Sequence, residues 1–387
     1  MPESIALFSV ASNRKECAAI ELPAQEEIHL KLWFGILFIA RLAVAQTPSV
    51  PCIQPTPPPP ARVGQAPANA QGRGPRAQAP QSAADIAEIA KLSELPVWTS
   101  GAVDGDYAAG PGYPTAPELA RRVGVPEGKV TEFVMNSADS KYYPGVNGAF
   151  QRHVCVYVPA EYVPGTAAPV IVSADAYGMR YNLPTILDNM IYDQRLPVMI
   201  AVMIDNGGAE RSMEYDTVSD KYVRFVEDEV LPRAEKEANV KLSKDPEARM
   251  TLGGSSGGAA ALTMAWFRPD LYHRVLSYSG TFVNLRNGPE APLGAYEYIE
   301  HLFPDAAKKP LRLWIQVSEN DNGARSPSEN RRNWVTANSR LAKILRDKGY
   351  HYQFVYTKGA GHTQRKVINH TLPQALEYVW QGYSSQN

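Results

Sequence analysis

One segment constrains the fold of this chain more than any other: Arg249-Met-Thr-Leu-Gly-Gly-Ser-Ser-Gly-Gly-Ala-Ala-Ala-Leu262. It passes from an apolar run of strand length, through a glycine-flanked serine pair, directly into a helical pattern. So abrupt a strand-to-helix turn needs small residues on both sides, because neighbouring backbones crowd it. The turn raises a hydroxyl above a sheet at the start of a helix, where N–H groups favour developing negative charge. A free Gly/Ser linker would not be bracketed by a buried strand and a core helix. Both serines satisfy G-x-S-x-G: Ser255 lies between Gly253 and Gly257, and Ser256 between Gly254 and Gly258.

The surrounding rhythm agrees with such a turn. Residues 130–135 and 153–158 read as strands, the second alternating sharply enough to suggest an antiparallel pair at a sheet edge. Apolar runs of strand length follow at 170–173, 198–204, 250–252, 275–278, 313–317 and 352–356. Helical patterns at 183–192, 219–238, 259–267, 334–348 and 372–380 separate most of them. Alternating α and β segments with doubly apolar strands predict an α/β fold with a mainly parallel central sheet and helices on both faces. Ligand sites in such sheets lie beyond the carboxyl ends of the strands.

The chain of 387 residues is longer than one such domain needs. Residues 30–46 form an apolar run, short for a membrane span, that ends in Ala43-Val44-Ala45. That pattern predicts an export signal peptide over 1–45, cut before Gln46, with no membrane span left after processing. Glu21, Glu26 and Glu27 stand where a cationic segment is expected, which an N-terminal extension of the signal would explain. Residues 46–124, rich in Pro, Ala, Gln and Gly, predict a largely disordered linker with a short amphipathic helix near 84–95. The catalytic domain is expected over 125–383, followed by a tail at 384–387. Lys and Arg total 39 against 40 Asp and Glu, a balance that offers no electrostatic footprint for nucleic acid. The partner expected from that balance is a small molecule. Three cysteines give no disulfide framework or thiolate metal site, and HExxH, CxxC and GxxxxGK[ST] are absent. No cofactor or metal is expected.

The run Gly253-Gly-Ser-Ser-Gly-Gly258, followed by a helix and by Pro269-Asp-Leu-Tyr-His-Arg-Val-Leu-Ser-Tyr-Ser-Gly280, resembles the enterochelin-esterase and feruloyl-esterase branch of the α/β-hydrolases. The resemblance spans about 130–382 and implies the α/β-hydrolase fold and a serine esterase. The branch carries G-x-S-x-G-G, which selects Ser255 as nucleophile. The fold orders its triad Ser, acid, His. Of seven histidines, His362 in Lys358-Gly-Ala-Gly-His362 follows the last strand and fits the base best. The acid should follow the strand at 313–317, in Ser318-Glu-Asn-Asp-Asn-Gly323, where Asp321 is favoured and Glu319 also qualifies. Ser318 stands where relatives commonly carry Gly.

One oxyanion donor is expected at the Ser256 N–H and a second in Ser173-Ala-Asp-Ala-Tyr-Gly178, at Ala176 first and Tyr177 next. The polar loop 205–216 is expected at the pocket rim, with Arg211 and Glu214 as substrate contacts or as an ion pair with each other. Residues 279–309, with Phe282, Tyr296, Tyr298 and Phe303, either fold over the site as a partial lid that offers Phe282 to substrate or pack the domain edge. The substrates implied are siderophore lactones or feruloyl and acetyl esters of polysaccharide. An acyltransferase on the same fold, or a scaffold retained only for binding, are the alternatives.

Overall fold

The computed structural model describes residues 81–383. The expected leader over 1–45, residues 46–80 and the tail at 384–387 lie outside the described residues. Nine strands form the main sheet: β1 (Gly105–Ala109), β2 (Lys129–Asn136), β3 (Gln151–Val158), β4 (Val170–Ser173), β5 (Ile200–Ile204), β6 (Arg249–Gly254), β7 (Arg274–Tyr278), β8 (Arg312–Asn320) and β9 (His351–Gly361). They lie in the order β1-β9-β8-β7-β6-β4-β5-β3-β2. β3 pairs antiparallel with both β2 and β5, and the other neighbours are parallel. The antiparallel start and parallel remainder follow the sequence pattern, and every residue of β4, β5, β6 and β7 is buried, as a sheet covered on both faces requires.

Among the helices that provide that cover are α1 (Ala83–Leu92), α2 (Leu183–Tyr192), α3 (Ser256–Phe267), α4 (Trp334–Asp347) and α5 (Arg365–Trp380), with a further helical stretch over 221–238. Alternate strand residues feed two separate cores. Val172 and Ile315 join Leu262 and Ala265 of α3 and Leu341 and Leu345 of α4 on one face. Ile171 and Trp314 join Ile186 and Met190 of α2 and Leu372 and Leu376 of α5 on the other. No helix among the described residues is long and apolar enough to cross a membrane.

The linker expected over 46–124 departs from its composition once the description begins. α1, the amphipathic helix expected there, is capped by the Ser82 side chain and tied to α4 through Arg340, which reaches both Asp85 and Glu88. β1 extends the sheet beyond β9, with Gly105 opposite Gln353 and Ala109 opposite Thr357. Its outer edge is covered in turn, since Trp98 N–H donates to the Ala108 carbonyl and Ala108 N–H to the Pro96 carbonyl. Gly-Asp-Tyr-Ala-Ala has no branched aliphatic residue, so its strand character comes from the neighbour and not from its own propensity.

β9 also runs further than its apolar stretch. The glycine-rich segment expected to be loop continues as strand to Gly361, and a register shift between β8 and β9 brings Asn320 opposite Gly361. The next residues, Asp321 and His362, therefore leave the sheet side by side.

Candidate active site

The tight turn between β6 and α3 falls at Ser255, whose φ of 59° and ψ of −128° are strained for a residue with a Cβ. Crowding around it explains the glycines. A Cβ on Gly253 would collide with the Gly257 carbonyl, and one on Gly254 would strike the Tyr177 ring. Ser255 N–H donates to the Tyr278 carbonyl at 2.8 Å, anchoring the turn to β7. Ser256 opens α3, so its N–H lacks a helical partner one turn earlier.

His362 Nε2 lies 2.8 Å from Ser255 Oγ, and His362 Nδ1 lies 2.6 Å from Asp321 Oδ1. An ionised Asp321 can only accept, so Nδ1 carries the proton and Nε2 is left to accept from the Ser255 hydroxyl. The Asp321 side chain is fully buried while the His362 side chain is 21% exposed. Glu319, the other acid considered, accepts instead from the Gly359 N–H. The remaining described histidines are engaged elsewhere: His153 with Glu132, His273 with Glu247, His301 with Glu297, His351 with Asp104 and His370 with the Pro114 carbonyl.

The loop after β4 places two residues in left-handed backbone, Asp175 at φ 60° and Ala176 at φ 47°. Asp175 N–H donates to the Tyr215 hydroxyl and Tyr177 N–H to the Ala174 carbonyl, which leaves Ala176 between two committed neighbours. Tyr177 is a core residue whose ring packs against Tyr181 and Tyr278.

The three residues expected to contact substrate separate. Glu214 does not hold Arg211. Its buried carboxylate pairs with Arg152 and accepts from Gly207 N–H at 3.0 Å, which makes it a structural group below the surface. Phe282 is fully buried and meets Tyr298 edge-on, and Tyr296, Tyr298 and Phe303 are buried with it. The stretch after Ser279 therefore packs the domain edge and forms no lid, because its aromatic residues serve the core. Arg211 stays beside the site, held by Asp175: its Nε lies 2.8 Å from Oδ1, and Asn206 shares that oxygen at 2.9 Å. Burial alone would lower the Arg211 pKa, but the hydrogen bond and charge of Asp175 outweigh it and raise it. A Cβ on Gly257 would come within 3.3 Å of Asp175 Oδ2, so the ion pair borders the Ser255 turn.

Two neighbours escaped the sequence reading. Ser279 donates to Asp321 Oδ2 at 2.6 Å, and the Trp334 ring stands edge-on to the His362 imidazole at 6.2 Å. Ser279 sits in the Ser277-Tyr-Ser-Gly280 run at the end of a strand, a position that offered a signal. Trp334, at the start of α4, offered none. A cavity of about 370 Å³ bordered by Trp98, Gln353 and Gln374 lies by the amino-terminal part of β9, away from Ser255.

Comparison with known proteins agrees with this architecture. A family model described as “Putative esterase” matches residues 149–379. An uncharacterised protein, YbbA, of Bacillus subtilis is 19% identical over 249 residues, covering 60% of this chain and 94% of YbbA. A ferulic acid esterase from Anaeromyces mucronatus shares the fold with a TM-score of 0.51 at 17% identity, over 69% of this chain and 96% of its own. The enterobactin esterase of Shigella flexneri superposes with a TM-score of 0.50 at 20% identity, over 66% of this chain, which spans only 60% of that enzyme's length. The chain thus belongs to the esterase family of that model and has the α/β-hydrolase fold.

Proposed function

We propose that the protein hydrolyses carboxylic esters through a covalent acyl-enzyme on Ser255. The observation that carries this reading is the unbroken line from Ser255 Oγ through His362 to Asp321, with separations of 2.8 and 2.6 Å. His362 Nε2 takes the Ser255 proton as Oγ attacks the ester carbonyl carbon. The tetrahedral oxyanion is held by the N–H groups of Ser256 and Ala176, each such donor contributing roughly 10²- to 10³-fold in rate. Collapse breaks the bond to the alcohol oxygen, which receives the proton from Nε2. Water, deprotonated by the same nitrogen, then releases the acid and restores Ser255. Asp321 fixes the imidazole tautomer and stabilises its cation without taking the proton.

The substrates proposed are large polar esters such as siderophore lactones or feruloyl and acetyl esters of polysaccharide, on an exported protein that begins at Gln46. Arg211 supports that size class, because a guanidinium bordering the nucleophile turn presents a planar donor to carboxylate, phenolate or sugar oxygens. A panel of p-nitrophenyl, feruloyl and cyclic siderophore esters tests the reading. Turnover of at least one class, abolished in Ser255→Ala, is expected. Turnover that survives Ser255→Ala would refute the mechanism.

A further inference from the structure

Ser279 lies immediately beyond β7, the strand between the one that carries Ser255 and the one that leads to Asp321. It is fully buried, and its φ of 47° puts a residue with a side chain in backbone that glycine occupies more easily. Its N–H is fixed to the Gln316 carbonyl of β8 at 2.7 Å. Nothing in the turn itself calls for serine there. Its hydroxyl nonetheless makes two bonds, donating to Asp321 Oδ2 at 2.6 Å and accepting from the Thr363 N–H at 3.2 Å. A carboxylate only accepts and a backbone N–H only donates, so the direction of this two-bond bridge is dictated.

The Asp321 carboxylate is thereby saturated. Oδ1 accepts from His362 Nδ1 at 2.6 Å and from Asn322 N–H at 2.8 Å, and Oδ2 accepts from Ser279 and from Ser318 N–H at 3.1 Å. The Ser318 and Asn322 contacts come from the acid's own segment, the end of β8 and the turn that follows it. Ser279 ties the carboxylate to a different strand and, through Thr363, to the residue following His362. We propose that Ser279 is a positioning residue that locks the acid and the base loop into one unit, so that the imidazole stays aligned on Ser255. This inference rests on the Ser255–His362–Asp321 reading above.

The test is a double-mutant cycle on kcat and KM for p-nitrophenyl acetate, using Ser279→Ala, Ser279→Gly, Asp321→Ala and the Ser279→Ala/Asp321→Ala pair. Losing a hydrogen bond to a charged group should lower kcat roughly 10- to 100-fold in either Ser279 variant, with KM within about threefold of wild type. Ser279→Gly relieves the backbone strain, so its melting temperature should match or exceed that of the wild type while kcat still falls. In the Asp321→Ala background, Ser279→Ala should cost less than about twofold more, because the group it acts through is gone. Wild-type kcat in Ser279→Gly, or the same loss from Ser279→Ala in both backgrounds, would overturn the proposal. Ser255→Ala, measured alongside, separates the two levels. Its inactivity beside unimpaired Ser279 variants refutes the positioning role alone, whereas its activity refutes the mechanism beneath it.

Discussion

Replacing Glu214 with alanine removes the carboxylate from an ion pair whose side chains are 0% exposed for Glu214 and 3% for Arg152. The guanidinium left behind keeps one carbonyl, that of Asp205 at 2.7 Å, and the faces of Phe150 at 5.3 Å and Phe225 at 4.8 Å. Breaking a buried pair in this way costs about 3–5 kcal/mol, because the surviving charge stays desolvated without its counter-ion. Unfolding entropy of about 2.1 cal/mol/K per residue over roughly 300 residues comes to about 0.6 kcal/mol/K, so the melting temperature should fall by about 5–8 °C. Scanning calorimetry of the variant and wild type reads this directly, with esterase assays at 25 °C beside it. The KM for p-nitrophenyl acetate should stay within about twofold, because Glu214 lies beneath the surface and touches no part of the site that a small ester occupies. An unchanged melting temperature with a raised KM would refute the structural assignment and return Glu214 to the substrate.

Three other outcomes follow from the structure. A chain beginning at Gly124 loses α1 and β1 and exposes the edge of β9, so it should be insoluble or melt well below a chain beginning at Gln46; equal melting temperatures would show that these elements contribute nothing. Burial raises the Asp216 pKa above its ordinary 3.8 against the opposing Ser212 and Ser256 hydroxyls and Arg211 charge, so the folded chain binds that proton more tightly than the unfolded chain and stability is lost as pH rises above about 4. Asp216→Asn should therefore raise the urea midpoint relative to wild type at pH 7 but not near pH 4, and a gain independent of pH would contradict the assignment. Arg211→Ala should lower kcat/KM strongly for large polar esters and little for p-nitrophenyl acetate, and equal losses on both with a clear fall in melting temperature would make the Asp175 pair purely structural.

The central parallel strands and the tight turn at Ser255 were legible in the sequence because both depend on local patterns: continuous apolar runs, and glycines where backbones crowd. That His362 and Asp321 come together was legible from chain order and from their positions after strands. What escaped depends on partners distant in sequence. β1 is a strand because β9 offers it an edge, and β9 reaches Gly361 because its register with β8 holds a glycine-rich segment extended. Arg211 was assigned a neighbour three residues away, but its counter-ion is Asp175, 36 residues earlier. Glu214 chose Arg152 of β3, 62 residues away. Phe282 reads as an exposed aromatic only while the fold of the stretch after β7 is unknown.

The most direct test of the central claim is covalent labelling with a fluorophosphonate, followed by intact-mass and peptide analysis. The probe reacts with an activated serine hydroxyl, and the strained turn presents two candidates one residue apart. One equivalent on Ser255, no label in Ser255→Ala and normal labelling in Ser256→Ala are expected, because the role proposed for Ser256 belongs to its backbone N–H, which remains when the hydroxyl is removed. Label on Ser256, or no label on a chain that still hydrolyses esters, would contradict the assignment of Ser255 as the nucleophile.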